Sequence, residues 1–337
     1  MRETSEGGSI TRRSALAVLA SAGLGLAASG LPMLGADSAT DLLSQRLPKF
    51  SEKSRALLRE LLKASSYSGQ IPADAAATLA KNENLSVDQL MVELLPFAQS
   101  YSRAPISSFF VGVVVRGASG SLYTGANIEI PGQCLGFAVH AEQSALSNAY
   151  MHGEQSVAAL AVGGAPCGHC RQFIDEMSPD GNILILTPNH GPAKLSTILP
   201  SAFGPAALGM THGAFPVEEK KLALDKDSTD ALTLAALDAA RKSYAPYSKS
   251  PAGVAVRGSH GRIYRGSYIE NVAFNPSLSP LQTALAAMIA AGEPYSAISA
   301  VTLVEVEGSK ISQKTVTEAV MGAIAPGLRL EVISARS

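Results

Sequence analysis

Val111-Gly112-Val113-Val114-Val115-Arg116-Gly117 and Ala252-Gly253-Val254-Ala255-Val256-Arg257-Gly258 decide how this chain folds. Both are apolar runs with glycine in second place and an Arg-Gly ending. The shared register continues through Gly120/Gly261, Tyr123/Tyr264, Gly125/Gly266, Ile128/Ile269 and Glu129/Glu270, and upstream Ala104-Pro105 stands against Ala245-Pro246. In the first stretch a strand reads from Phe109 to Val115, Gly117-Ala118-Ser119-Gly120 is a turn, and Ser121-Leu122-Tyr123-Thr124 returns. A match this dense over a hairpin makes the chain two copies of one domain.

Outward from the first hairpin, a loop with Pro131 and Gly132 leads to a helix beginning near His140 and running to Met151. Val157 to Val162 is a short strand, Pro166 fits the first turn of a second helix, and Ile183 to Leu186 is the next strand. The order β-β-α-β-α-β indicates a layered α/β domain. Upstream the pattern is helical, with Ser51 opening one helix, Pro72-Ala73-Asp74 another, and Ser86 and Gln89 in capping-box positions before a third. The expected division is 1–36 leader or tail, 37–100 helical segment, 101–190 first copy, 191–228 Pro/Gly-rich linker arm, and 229–337 second copy.

The chemistry is concentrated in His140-Ala141-Glu142 and Pro166-Cys167-Gly168-His169-Cys170. One imidazole and two thiols are three zinc-type ligands, leaving a fourth position open, and Glu142 is a proton carrier beside them. Placing both thiols at a helix start puts them at the positive end of its dipole. On its own, Cys167-Gly168-His169-Cys170 equally fits a thiol–disulfide oxidoreductase. His169 reads as a neighbour of the site, and Cys134 as an idle thiol. With a two-residue gap, His140 and Glu142 fall on Ser279 and Leu281, and no cysteine follows Cys170. The second copy therefore keeps its packing residues without the ligands and is structural.

Bulk composition narrows the partners. Of 337 residues, 46% are hydrophobic and 16% charged, and the formal net charge is −1. With no tryptophan and no basic stripe, nucleic acid is disfavoured as substrate. Thr11-Arg12-Arg13-Ser14 before the Ala/Leu/Gly-rich run 15–34 reads as a twin-arginine export signal. Cleavage would give a periplasmic protein without stable membrane association; a transmembrane anchor and an uncleaved tail on a cytoplasmic protein are the alternatives. No other segment is long and apolar enough to span a bilayer.

His-x-Glu followed by Pro-Cys-x-x-Cys is a known signature of zinc deaminases. Pro105-Ile106-Ser107-Ser108-Phe109, Gly125-Ala126-Asn127-Ile128-Glu129, the run His140 to Ala145, the run Pro166 to Phe173, and Glu270 to Pro276 together resemble the homodimeric, two-domain cytidine deaminases. The resemblance covers nearly everything after about residue 45. It implies a three-layer α/β/α domain, duplicated, with a small N-terminal helical segment. It also implies one Zn2+ per subunit on His140, Cys167 and Cys170, with Glu142 as proton donor and acceptor. Substrate contacts implied are Asn127, Ile128 and Glu129, Phe109 beside the base, Ala141, and Phe203 reaching in from the arm across a dimer interface. The implied reaction hydrolyses a cyclic amidine C–N bond, taking cytidine and 2′-deoxycytidine to uridine and 2′-deoxyuridine in pyrimidine salvage. A non-catalytic nucleoside-binding relative is the remaining alternative. Two departures fall near the site: Gly163-Gly164-Ala165 is smaller than the family's stretch before the proline, and Phe110 stands where a polar residue is expected.

Overall fold

The computed structural model describes residues 42–336; the export-signal reading of 1–36 lies outside them. Helices α1 (Glu52–Lys63), α2 (Ala73–Glu83), α3 (Val87–Glu93) and α4 (Leu95–Gln99) come first, with a short strand β1 (Gln70–Ile71) after α1. The expected capping box forms at α3: Gln89 N donates to Ser86 Oγ at 3.2 Å and Ser86 N to Gln89 Oε1 at 2.8 Å. The first copy then runs β2 (Gly112–Gly117), β3 (Leu122–Ala126), α5 (Ala141–Met151), β4 (Val157–Val162), α6 (Gly168–Met177) and β5 (Leu184–Leu186). In the arm, β6 (Ala193–Lys194) leads into the four-residue helix α7 (Leu195–Ile198). Strand β7 (Ala223–Leu224) and α8 (Ala231–Arg241) open the second copy, followed by β8 (Ala252–Arg257), β9 (Ile263–Ser267), α9 (Pro280–Ala290), β10 (Ala300–Val306), α10 (Lys314–Ile324) and β11 (Leu330–Arg336). Among the described residues no helix is long and apolar enough to cross a membrane.

Two sheets carry the duplication. Their orders are β1-β3-β2-β4-β5-β6 and β7-β11-β10-β8-β9, with β4–β5 and β10–β11 the parallel pairs. The repeated glycines explain themselves here. Val113 pairs with Gly125 and Val254 with Gly266, so each glycine shares its partner's face of the sheet. Helix α5 crosses that face so closely that a Cβ on Gly125 would sit 2.1 Å from Ala145 N; on Gly266 it would sit 2.1 Å from Pro280 O, at the start of α9. Gly112 and Gly253 admit α4 and α8 to the opposite faces in the same way. Helices therefore cover both faces of each sheet, giving the three-layer α/β/α architecture twice. Helix α4, within the expected N-terminal segment, takes the place in the first copy that α8 takes in the second. Gly125→Ala and Gly266→Ala are each expected to destabilise by about 1–3 kcal/mol or more, because the helix backbone cannot yield. Urea unfolding checks this; a loss below about 0.5 kcal/mol at either site contradicts the packing argument.

Other details repeat as well. Tyr123 Oη donates to Glu154 at 2.8 Å and Tyr264 Oη to Glu293 at 3.2 Å, closing the two hairpins alike. The copies meet through α5 and α9, which pack against each other. Gln143 Nε2 donates to Pro276 O and Gln282 Nε2 to Phe137 O, each at 2.9 Å, while their Oε1 atoms accept from His140 N and Ser279 N at their own helix starts. One glutamine thus caps its helix and stitches the copies together.

Two local expectations are corrected. The first strand begins at Gly112, not Phe109, because Asn127 grips this edge with its side chain: Nδ2 donates to Phe109 O at 2.8 Å and Oδ1 accepts from Val111 N at 2.9 Å. Phe109 and Phe110 lie outside the sheet and are exposed. At α6, Pro166 precedes the helix rather than opening it; Cys167 is the N-cap, its sulfur accepting from Cys170 N at 3.4 Å.

Candidate functional site

Helix α5 is buried along its length, from Ala141 to Tyr150, although Gln143, Ser144, Ser147 and Asn148 are polar. Those side chains reach backbone groups: Ala126 N donates to Ser144 Oγ at 3.3 Å and Asn148 Nδ2 to Thr124 O at 3.0 Å, while Asn148 Oδ1 has no partner among the described residues. Its start is fixed from behind by the bridge between Ile128 and Val139, so His140, as N-cap, leaves the sheet in one direction. Helix α6 begins opposite. Arg171 anchors that start, donating to Pro166 O and Ile198 O, both at 2.8 Å.

These two helix starts bring His140, Cys167 and Cys170 together. His140 Nδ1 lies 3.6 Å from Cys167 Sγ and 3.2 Å from Cys170 Sγ, and the sulfurs are 3.3 Å apart. Among the described residues this is the group of three able to share a metal. Tetrahedral zinc bonds of about 2.0–2.3 Å place ligand atoms about 3.5–3.8 Å apart, so the triangle closes on zinc with small shifts. Three protein ligands leave the fourth position for a reactant. Glu142, 5% exposed, lies against Cys170. Burial first, then the charges of Glu142 and Cys167, push the Cys170 thiol well up; a bound cation reverses this by holding the thiolate. His169 stacks on His140, centroids 4.8 Å apart, outside the ligand triangle; burial and then His140 lower its pKa. Cys134 is exposed and not part of the group.

The remaining expected site residues are placed unequally. Glu129 accepts from Ile106 N at 2.7 Å, Ser107 N at 3.0 Å and Ser107 Oγ. Partial burial raises its pKa, but those hydrogen bonds outweigh it and leave the carboxyl below its ordinary value. Asn127 holds the same loop at Phe109 and Val111, and also accepts from Ser102 Oγ at 2.5 Å. Ala141 is buried at the first helical position, where its N–H has no intrahelical partner. Ile128 does not reach the site surface: its side chain is wholly buried and its N–H and C=O both bond to Val139 at 2.8 Å. Phe203 is half exposed, with its carbonyl accepting from Gln172 Nε2 on α6 at 2.9 Å. Cβ atoms added at Gly163 and Gly164 would meet open space.

Asp175, on the same helix, had no signal in the sequence. It is 5% exposed and its Oδ2 has no partner among the described residues. A Cβ on Gly204 would lie 2.8 Å from that oxygen, so the arm packs directly on it. Burial, and next the charge of Glu176, push the Asp175 carboxyl up to about 6. In the unfolded chain it titrates near about 3.9, so the folded protein holds an extra proton between about 4 and 6. Stability therefore falls as pH rises through that window and stays lowered above it. Asp175→Asn is expected to remove this loss, about 3 kcal/mol at most. Its urea midpoint should match wild type at pH 4 and exceed it at pH 8; equal midpoints at both contradict the assignment.

Residues 85–186 and 195–318 each match a family model described as the cytidine and deoxycytidylate deaminase zinc-binding region. The first match contains His140, Glu142, Cys167 and Cys170; the second contains Ser279 and Leu281. The chain is 42% identical over 277 residues to a cytidine deaminase of Vibrio vulnificus, covering 82% of this chain and 93% of that protein. With the cytidine deaminase of Vibrio parahaemolyticus it shares 41% over 292 residues, covering 87% and 98%. A crystal structure of cytidine deaminase from Mycobacterium tuberculosis is 29% identical, with a TM-score of 0.32, covering 34% of this chain and 96% of that one.

Proposed function

The chain belongs to the cytidine and deoxycytidylate deaminase family, and on that premise we propose that it hydrolyses cytidine and 2′-deoxycytidine to the uridines and ammonia. The observation that carries this reading is the triangle of His140, Cys167 and Cys170 with the buried carboxylate of Glu142 against it. The upstream His140-Ala141-Glu142 and the repeated hairpin have no place in a thioredoxin-like redox domain.

His140 Nδ1 and the sulfurs of Cys167 and Cys170 would hold the zinc. When bound, zinc supplies the Lewis acidity that makes water a nucleophile near neutral pH. Glu142 takes a proton from the attacking water as oxygen bonds to C4 of cytosine, and passes it to N3. The second proton of the water follows through the same carboxylate to the exocyclic nitrogen. The C4–N bond then breaks, ammonia leaves and the uracil carbonyl remains. Asn127 and Glu129 contact the ribose hydroxyls, and Phe109 walls the base. Both polar residues already hold the loop that carries Phe109, so the pocket is organised before nucleoside arrives.

The working unit in this reading is a homodimer in which Phe203 closes the partner's site. The exposed apolar side chains, Phe109, Phe110, Leu135, Phe203, Leu208 and Phe274 among them, support burial against a second copy. The Arg12-Arg13 leader supports export to the periplasm, whereas a role in pyrimidine salvage would go with the alternative of a cytoplasmic protein that keeps its tail. Purified protein given cytidine should yield equimolar uridine and ammonia, run at twice the chain mass in light scattering, and carry one zinc per chain. Mature protein from cells should lack Met1 on N-terminal sequencing. No uridine from zinc-loaded protein refutes the activity, monomers refute the dimer, and an intact Met1 on protein in the soluble cytosol refutes export.

A further inference from the structure

The second copy reaches the metal helix without offering a ligand. Helix α6 carries Cys170 near its start and Glu176, wholly buried, near its end. Three donors converge on that carboxylate, and all belong to the second copy. Tyr244 Oη at 2.7 Å and Tyr247 Oη at 2.6 Å donate to Oε1, and Val272 N at 2.7 Å donates to Oε2. Asn271 Nδ2 adds a bond to Gln172 O of the same helix at 3.0 Å.

The segment bearing Tyr247 is itself held by Glu270, which accepts from Tyr247 N at 2.7 Å and Ser248 N at 3.1 Å. This repeats the grip of Glu129 on Ile106 and Ser107 in the first copy. Position for position, Arg103 and Ile106 of the first copy are Tyr244 and Tyr247 in the second. The matching loop of the second copy therefore faces the back of the metal helix, with phenols at two positions where the first copy has none. A buried carboxylate tolerates little displacement from its donors, because losing one leaves charge unpaired away from water.

We propose that Glu176, Tyr244 and Tyr247 are positioning residues that seat α6 so that Cys167 and Cys170 stay at binding distance from His140. The second copy thereby governs how long the chain keeps its metal. This rests on the zinc reading of the site, but not on which nucleoside is turned over.

The test uses full-length, zinc-loaded protein challenged with excess chelating dye, comparing Tyr244→Phe, Tyr247→Phe and Tyr264→Phe. The first two are expected to release zinc about tenfold faster than wild type, the scale of a lost hydrogen bond to a charged group. Tyr264→Phe also loses a phenol–carboxylate bond in the second copy, to Glu293, but touches no part of α6; it should release zinc at the wild-type rate. Unchanged release in both α6-facing variants overturns the proposal, as does equal acceleration in Tyr264→Phe. Release is read on zinc alone. A protein inert toward cytidine that still shows this ranking fails the substrate reading while supporting the present one; a wild type that binds no zinc overturns both.

Discussion

Glu142→Ala is expected to lower kcat for cytidine about 10²- to 10⁴-fold while the protein keeps its zinc, the range that a positioned general acid–base supplies. The geometry separates these outcomes. Glu142 stands one residue beyond Ala141 at the start of α5, buried and against Cys170, but outside the ligand triangle. Its removal takes away the proton carrier without taking a ligand. It also removes a negative charge from beside Cys170, a charge that pushes that thiol up. Because no ligand is removed, zinc content should hold. Steady-state ammonia release together with metal content by atomic emission makes the measurement. Turnover within tenfold of wild type would falsify the role given to Glu142, and loss of zinc from the variant would show it to be a ligand instead.

Stripping the zinc, or replacing Cys170 by alanine, is expected to abolish turnover and to lower the unfolding midpoint. Cys170 is 1% exposed, so its sulfur is part of the packed interior as well as a ligand. Cys167 is exposed, and Cys167→Ala should lose the metal with a smaller direct packing loss. Metal binding to the folded state alone stabilises by mass action, about 4 kcal/mol when free zinc is 1,000 times Kd. The chelated protein should regain activity and midpoint with one equivalent of zinc. Because burial and neighbouring charge push the Cys170 thiol up, zinc binding must release protons, so affinity should fall as pH falls. Cys134→Ala is the control expected to change nothing. Activity surviving full zinc removal would end the metal mechanism.

The ligand set was legible because its chemistry lies in residue types: imidazole, two thiols and a carboxylate are nameable wherever they fold. The duplication was legible for a related reason. Glycines where a helix backbone touches the sheet, at Gly125 and Gly266, tolerate no substitute and so stand in register. Ile128 illustrates the limit. Its neighbours Asn127 and Glu129 face the loop above the site, while the pleat turns Ile128 into the core.

The sequence by itself determined which atoms can hold zinc, that the domain is built twice, and that one copy carries the ligands. Tertiary structure alone decided the seat of the metal helix. Glu176 meets Tyr244, Tyr247 and Val272 across 68 to 96 residues of chain, Gln143 meets Pro276 across 133, and the orphaned oxygen of Asp175 lies under Gly204. Such contacts leave no periodic trace, because hydrogen bonds between a helix and a distant loop depend on where the two separately folded pieces come to rest. Local spacing sets helices, turns and caps; the meeting of distant donors and acceptors is set only when the copies pack.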